Sequence, residues 1–356
     1  MGKDDNRVYQ WIYLVILAAV ALWVLAAFLT PTARHSGLNL YEETRFPAMV
    51  QGTAYRPFVY RTLLPSTVRA LTAATPAAWR EGLDRVTERR PRLRRIFDVL
   101  GWEYQGSIRY YYAAFLMWIS FVGFAHFTVA LTCHQLGWSA KVAWRTTLGA
   151  AALLGLPALF KYSSFPYDPP QLFLFTLALY FLATERTRAF LVVFLFCCLN
   201  KETAALLIPI HAVYLRRKVP VQRIFRESGF LIAGYVVIKG GLVWMFRDNP
   251  GSLVEFHLLD HNLAWLAGGW SAAEMIVILI LATLVFIRWR EKPLFLRIAF
   301  LGIIPIQVFF ALFIGFIDEW RIYYEAYPIV FGLTAATWRL LVGTGSFPSS
   351  GDKTAC

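Results

Sequence analysis

Asn200, Lys201 and Glu202 stand together inside an apolar stretch that is closed on one side by Arg186 and Arg188 and on the other by Arg216, Arg217 and Lys218. A charge at the centre of a bilayer costs roughly 2.5 to 3.5 kcal/mol on insertion scales, so residues of this kind face a protein-lined, watered cavity and mark function. An ammonium beside a carboxylate has a defined chemistry there. Lys201 is a point charge for a phosphate, and Glu202 is its orienting partner or a contact to substrate. The competing reading is a lysine and a glutamate that neutralise each other or a neighbouring helix.

Four other groups of residues carry chemistry. The string Asp318-Glu319-Trp320-Arg321-Ile322-Tyr323-Tyr324-Glu325 places acids, an arginine and a tyrosine pair at the start of the last apolar segment. Arg321 offers a planar fork for a phosphate, Glu319 a carboxylate, and Tyr324 a ring that stacks on a sugar or joins the aromatic belt of a membrane interface. Asp168 precedes Pro169-Pro170, a rigid turn that either caps a helix or holds a substrate contact in place. Glu42-Glu43 follows the first apolar segment; a carboxylate in a partly desolvated cleft suits a general base, whereas in open loop it only caps a following helix. Arg56 and Arg61 add cations nearby. His257 and His261 lie four apart beside Glu255 and Asp260, a spacing that can ligate a metal but lacks the glutamate of a zinc-protease motif. A structural or substrate-gating loop with His257 toward substrate is the reading adopted, and no metal site is assigned.

The elements that must position these residues are membrane helices. Hydrophobic residues are 58% of 356 and charged residues 16%, against about 45–50% and 25% in soluble domains. The net charge of +13 resides in short clusters between apolar segments and in one long loop. That is the pattern of topology determinants and lipid-headgroup contacts, and it argues against nucleic acid. Cys133, Cys197, Cys198 and Cys356 show no metal spacing. There is no phosphate-cradling glycine loop, nucleophile elbow or dinucleotide fingerprint.

The apolar pattern predicts an all-α, polytopic membrane protein of about ten spans, some short or re-entrant, at 11–30, 110–134, 146–160, 170–184, 189–200, 203–215, 228–246, 271–288, 296–316 and 326–341. The first lacks an obvious cleavage site and is taken as retained. The fifth and sixth are read as a hairpin with Asn200-Lys201-Glu202 at its tip, since only then do both flanking basic clusters lie on the cytoplasmic side. Residues 1–342 form one membrane domain and 343–356 a disordered cytoplasmic tail. Residues 31–109 form a long extracytoplasmic loop with amphipathic helices in the headgroup layer. Its thirteen arginines run against a simple charge rule, though long loops cross largely regardless of charge. Were the cluster from Arg89 to Arg95 cytoplasmic, residues 58–78 would have to hide a further span.

The strings Tyr55-Arg56-Pro57-Phe58-Val59-Tyr60-Arg61-Thr62-Leu63-Leu64-Pro65, Leu199-Asn200-Lys201-Glu202-Thr203 and Glu319-Trp320-Arg321-Ile322-Tyr323-Tyr324-Glu325, with the long first outer loop, resemble the GT-C superfamily of integral membrane glycosyltransferases. The resemblance implies a lipid-phosphate-linked sugar as donor, a glycan, lipid or protein acceptor, and transfer on the outer face of a bacterial cytoplasmic membrane. It also implies a catalytic acid in the first outer loop. Superfamily members usually carry an aspartate there, and this chain has Glu42-Glu43.

The expected reaction is an inverting transfer in which Glu42 or Glu43 is the base. Arg321 and Lys201, with Arg56 or Arg61, stabilise the departing lipid phosphate. No cofactor is required, and Asp168 or Asp318 offers a carboxylate to a divalent metal ion. Two other functions fit the same residues: a transporter or lipid-linked-glycan flippase, which also uses broken helices and intramembrane charge, and a glycan polymerase or ligase.

Overall fold

The computed structural model describes residues 3–32, 38–39, 42–138, 141–160, 165–216, 218–252 and 256–342. Among them the chain is helical and contains no β-strand beyond isolated bridges. The helices are α1 (Lys3–Leu29), α2 (Phe46–Gln51), α3 (Leu63–Ala74), α4 (Ala77–Arg89), α5 (Pro91–Leu100), α6 (Ile108–Leu136), α7 (Val142–Leu154), α8 (Asp168–Ala183), α9 (Thr187–Asn200), α10 (Leu207–Leu215), α11 (Val221–Met245), α12 (Leu263–Gly268), α13 (Ala272–Phe286), α14 (Leu294–Phe313) and α15 (Tyr327–Leu341). Short 3-10 turns join several of them.

Five stretches are long and apolar enough to cross a bilayer: Val8–Leu29, Ile108–Leu136, Val142–Leu159, Val221–Met245 and Leu294–Phe313. A sixth is reached if Leu258–Gly268 and Ala272–Phe286, bent by 87°, count as one broken span. Each of the ten expected spans coincides with a helix. Yet α8, α9, α10 and α15 have only 16, 14, 9 and 15 residues, short of the ~20 that cross ~30 Å of hydrocarbon. A multi-pass helical membrane protein follows, in which five or six of the ten expected spans have spanning length and apolarity.

Helix ends follow local chemistry. Gly101 and Gly137 close α5 and α6 at φ 63° and 60°, a left-handed conformation that glycine adopts without a Cβ penalty. Ser271 and Glu274 form a reciprocal cap on α13. Its other end is closed by Lys292, whose Nζ donates to the carbonyls of Leu284 and Val285 at 2.6 Å each. At the head of α8 the prolines occupy the first turn, where a missing N–H costs nothing. Tyr167, not Asp168, holds the cap position.

Two apolar cores share the long α6. One gathers α1 and the first loop around Phe28, Phe46, Phe97, Tyr110 and Phe121. The other joins α8, α9, α10, α14 and α15 through Phe175, Phe194, Leu207, Ile303 and Leu333. In the long loop, α3 has 12 residues and spans about 18 Å, so 58–78 holds no helix of bilayer-spanning length. The tail from 343 lies outside the described residues.

The α9–α10 segment reverses direction. Lys201 is extended (φ −153°, ψ 153°) between the two helical stretches. The ends come together, for Lys218 Nζ lies 2.9 Å from Glu185 Oε1 and Arg223 donates to the Thr187 hydroxyl at 3.4 Å. Asn200-Lys201-Glu202 is therefore the tip of a hairpin whose basic ends adjoin. In an otherwise cysteine-free chain, Glu185→Cys with Lys218→Cys should be joined by a short bifunctional thiol reagent, and both single cysteines should label from the same side of the membrane. Labelling from opposite sides would exclude the hairpin.

Candidate functional site

Four pieces of chain converge on the hairpin tip: the head of α8, the 3-10 turn Trp320–Ala326 that opens α15, the first loop at Arg61, and the α11 residue Lys239. The innermost layer is a chain of hydrogen bonds. Asn200 Nδ2 donates to the Tyr167 carbonyl at 2.9 Å and to Gln171 Oε1 at 3.0 Å, and Gln171 Nε2 donates to Thr203 Oγ1 at 3.1 Å. The Thr203 hydroxyl donates to Glu325. Glu325 is wholly buried; its Oε1 lies 3.2 Å from Lys201 Nζ and its Oε2 accepts from Gln307 Nε2 at 2.8 Å. Lys201 and Glu325 thereby form a buried, hydrogen-bonded ion pair that closes the hairpin tip against α14 and α15.

The outer layer is built on aromatic rings. Phe58 stacks on Phe165 at 5.4 Å, and Phe165 on Tyr167 at 5.3 Å. Two arginines lie over these faces, Arg61 at 4.4 Å from the Tyr167 ring and Arg321 at 4.2 Å from the Phe165 ring, where the ring quadrupole attracts a guanidinium. Arg61 donates to Glu202 Oε2 at 3.2 Å and to the Tyr167 hydroxyl. Arg321 Nε lies 2.5 Å from Glu319 Oε1 and its Nη1 4.0 Å from Asp168 Oδ2. Burial opposes the charge on both arginines, but the carboxylates, Glu202 for Arg61 and Glu319 for Arg321, outweigh it and hold both pKa values above the usual arginine range.

Unmet polar atoms mark where a ligand has something to meet. Asp168 is completely buried; its Oδ2 accepts from the Phe165 amide at 3.3 Å, whereas Oδ1 has no hydrogen-bond partner among the described residues. Lys239 Nζ is 3.8 Å from Glu202 Oε1, and neither atom has a hydrogen-bond partner there. A buried group without a partner costs about 1–3 kcal/mol, more if charged. The Glu202 side chain keeps 39% of its exposure and is the most open of the ion-paired carboxylates here. Arg61, Lys201, Lys239 and Arg321 match Asp168, Glu202, Glu319 and Glu325 one for one, so the formal charges of the cluster cancel. His261 Nε2 meets the buried Asp318 at 2.9 Å on the flank.

Of the residues expected at a site, Arg61, Asp168, Lys201, Glu202, Glu319 and Arg321 come together, with Tyr324 buried against them. Four do not join. Glu42 and Glu43 are exposed on one 3-10 turn, and among the described residues neither side chain has an ion pair or hydrogen bond to the cluster. The wholly buried carboxylate is Asp168 instead. Arg56 ties the first loop to the next outer loop through the Pro250 and Gly251 carbonyls, at 2.8 and 2.7 Å. His257 pairs with Asp260 at 3.0 Å and stacks on Phe316 at 4.2 Å, a local loop contact. Glu255 lies outside the described residues.

Sequence reasoning passed over Tyr167, Gln171, Thr203, Lys239 and Gln307. Lys239 and Gln307 carried the same signal as the hairpin tip, a lone polar residue inside an apolar helix; Tyr167, Gln171 and Thr203 are ordinary residue types there. Among the described residues no group of three His, Cys, Asp or Glu side chains is placed to hold a metal. Asp168 is engaged by Arg321 and Asp318 by His261. No protein-family model, curated protein or solved structure matches the chain.

Removing one member of a buried pair strands the other, at about 3–5 kcal/mol, while replacing both by apolar groups is often neutral. Glu325→Gln should therefore lower the midpoint of thermal unfolding in detergent markedly, and Lys201→Met with Glu325→Leu should recover most of the loss. Unfolding of the single variant at the parent temperature would show that water, not Glu325, solvates Lys201.

Proposed function

We propose that the protein is a membrane glycosyltransferase that moves a sugar from a lipid-phosphate donor to a hydroxyl acceptor at the outer face of the membrane. The observation that carries this reading is Asp168, a wholly buried carboxylate with one oxygen unpartnered among the described residues and with Arg321, Lys201 and Arg61 as the cations that act on it. Such a site has an acceptor for a hydroxyl proton and donors for a leaving phosphate. It lies where helices break, and the donor is itself a membrane lipid.

Asp168 Oδ1 accepts the proton of the acceptor hydroxyl as its oxygen attacks the anomeric carbon. The bond from that carbon to the phosphate oxygen breaks with the electron pair going to phosphate, and the configuration inverts. Charge grows on the phosphate, so cations already in place lower the barrier. Lys201 and Arg321 were the expected phosphate ligands, but both are engaged by carboxylates that are themselves buried, whereas the partner of Arg61, Glu202, is half-exposed. Lys239, whose Nζ lacks a hydrogen bond, and Arg61, on the open side with Glu202, are the better placed pair. Arg321 instead orients Asp168 and partly offsets the burial that raises the pKa of its carboxyl, a shift that suits a group taking up a proton.

Removing proton abstraction typically lowers the rate by ~10²- to 10⁴-fold. Asp168→Asn should do so with donor-lipid binding retained, whereas Lys239→Met should weaken that binding and Glu42→Gln with Glu43→Gln should leave turnover within a few fold. The measurement is product formation from a polyprenyl-phosphate sugar by purified protein, with binding followed separately. Lipid or solute translocation in proteoliposomes, with no glycosidic product from any acceptor supplied, would replace the transferase by a transporter.

A further inference from the structure

The α4–α5 arm carries seven arginines against four acids over residues 77–100, a feature that neither the bundle nor the site uses. Its inner side is firmly anchored. Asp84 accepts the amides of Gly106 and Ser107 at 2.9 Å each and the Ser107 hydroxyl at 2.6 Å, just ahead of α6. Thr87 meets the Tyr111 hydroxyl at 3.0 Å. From α5, buried Phe97 packs edge-on against Trp102 at 5.3 Å and Tyr110 at 5.9 Å. The outer side is different in kind. Arg92, Arg95, Ile96 and Val99 recur at spacings of three, one and three on the face of α5 away from Phe97, and all are exposed. Exposed Trp79 and Val86 extend the apolar surface onto α4.

The height of this face in the membrane follows from α6. Its 29 residues are about 43 Å long, well beyond ~30 Å of hydrocarbon. Its first turns, with Arg109 paired to Glu103 at 2.8 Å and the run Tyr110-Tyr111-Tyr112, therefore lie in the headgroup layer. The arm anchored there lies at the same level. We infer that the Arg92–Val99 face of α5 is a docking surface for anionic phospholipid headgroups, with Ile96 and Val99 set into the acyl boundary and Arg92 and Arg95 on the phosphates. Alternating arginine and large apolar residues fit that partner, because guanidinium stems lie along apolar surface while their heads reach phosphate. A dissolved polyanion would satisfy the arginines and leave Ile96, Val99 and Trp79 against water. This inference is independent of the reaction catalysed.

The test uses the full chain in nanodiscs of phosphatidylcholine with and without phosphatidylglycerol. A nitroxide on Ile96→Cys, in an otherwise cysteine-free chain, reports depth from the ratio of oxygen to water-soluble nickel broadening. Enrichment of a labelled phosphatidylglycerol around the protein reports selectivity. Each arginine near an anionic surface is worth about 1 kcal/mol, roughly fivefold. Arg92→Gln with Arg95→Gln should then cut the enrichment by more than about tenfold, and raising salt should do the same to the parent. The probe should sit at headgroup depth. An unchanged enrichment in the double variant, or a probe fully open to nickel in anionic discs, overturns the inference. So does saturable binding of polyglutamate that is unaffected by Ile96→Ser with Val99→Ser. An unfolding midpoint equal to that of the parent confirms that the arginine variant is folded.

Discussion

Charge buried in an apolar medium must find an opposite charge, and the centre of this protein is organised by that demand. Lys201 and Glu325 come from segments more than a hundred residues apart and are both nearly inaccessible, yet they meet at 3.2 Å with Thr203 and Gln307 filling the remaining valences of the carboxylate. A buried pair of this kind adds little net stability over a well-packed apolar pair. What it does is specify: only one docking of the hairpin tip against α14 and α15 leaves no charge stranded. The shortness of α8, α9 and α10 becomes intelligible in that light, because these helices stop where the polar cluster begins.

The broken helices give the cluster its chemistry. A continuous helix would use its own backbone groups and present side chains to lipid. The extended Lys201 and the proline-led head of α8 instead turn polar side chains inward, toward a region lined by Phe58, Phe165 and Tyr167. The aromatic stack holds two guanidiniums on its faces and takes only one of their donors, through the Tyr167 hydroxyl, which leaves Arg61 and Arg321 available to Glu202, Glu319 and Asp168. Within this set of opposed charges, Asp168 Oδ1, Glu202 Oε1 and Lys239 Nζ keep no hydrogen-bond partner among the described residues.

Much of the architecture was legible from the chain. Apolar runs bounded by Arg and Lys clusters located all ten helical segments, and opposing basic clusters around 189–215 were enough to argue for a reversal that the Glu185–Lys218 contact then displays. Most residues singled out for charge inside apolar surroundings did gather, since Arg61, Asp168, Lys201, Glu202, Glu319 and Arg321 each pose the same solvation problem. The number of full crossings was not legible, because apolar composition cannot distinguish a helix that spans from one that stops at a buried polar centre. Glu42 and Glu43 misled for a related reason: their place after the first span matched an expected pattern, but nothing in their neighbours said whether they would be covered.

The sequence by itself determined that this is a helical membrane protein with charges set among apolar segments, since hydropathy and the cost of an unpaired ion depend on residue type and spacing alone. Which acid meets which cation was decided by the tertiary structure. Lys201 takes Glu325 rather than its neighbour Glu202, Glu202 takes Arg61, and Lys239 is left with a longer approach. Electrostatic energy between such groups falls with distance and rises with desolvation. Both quantities are set only when distant segments pack.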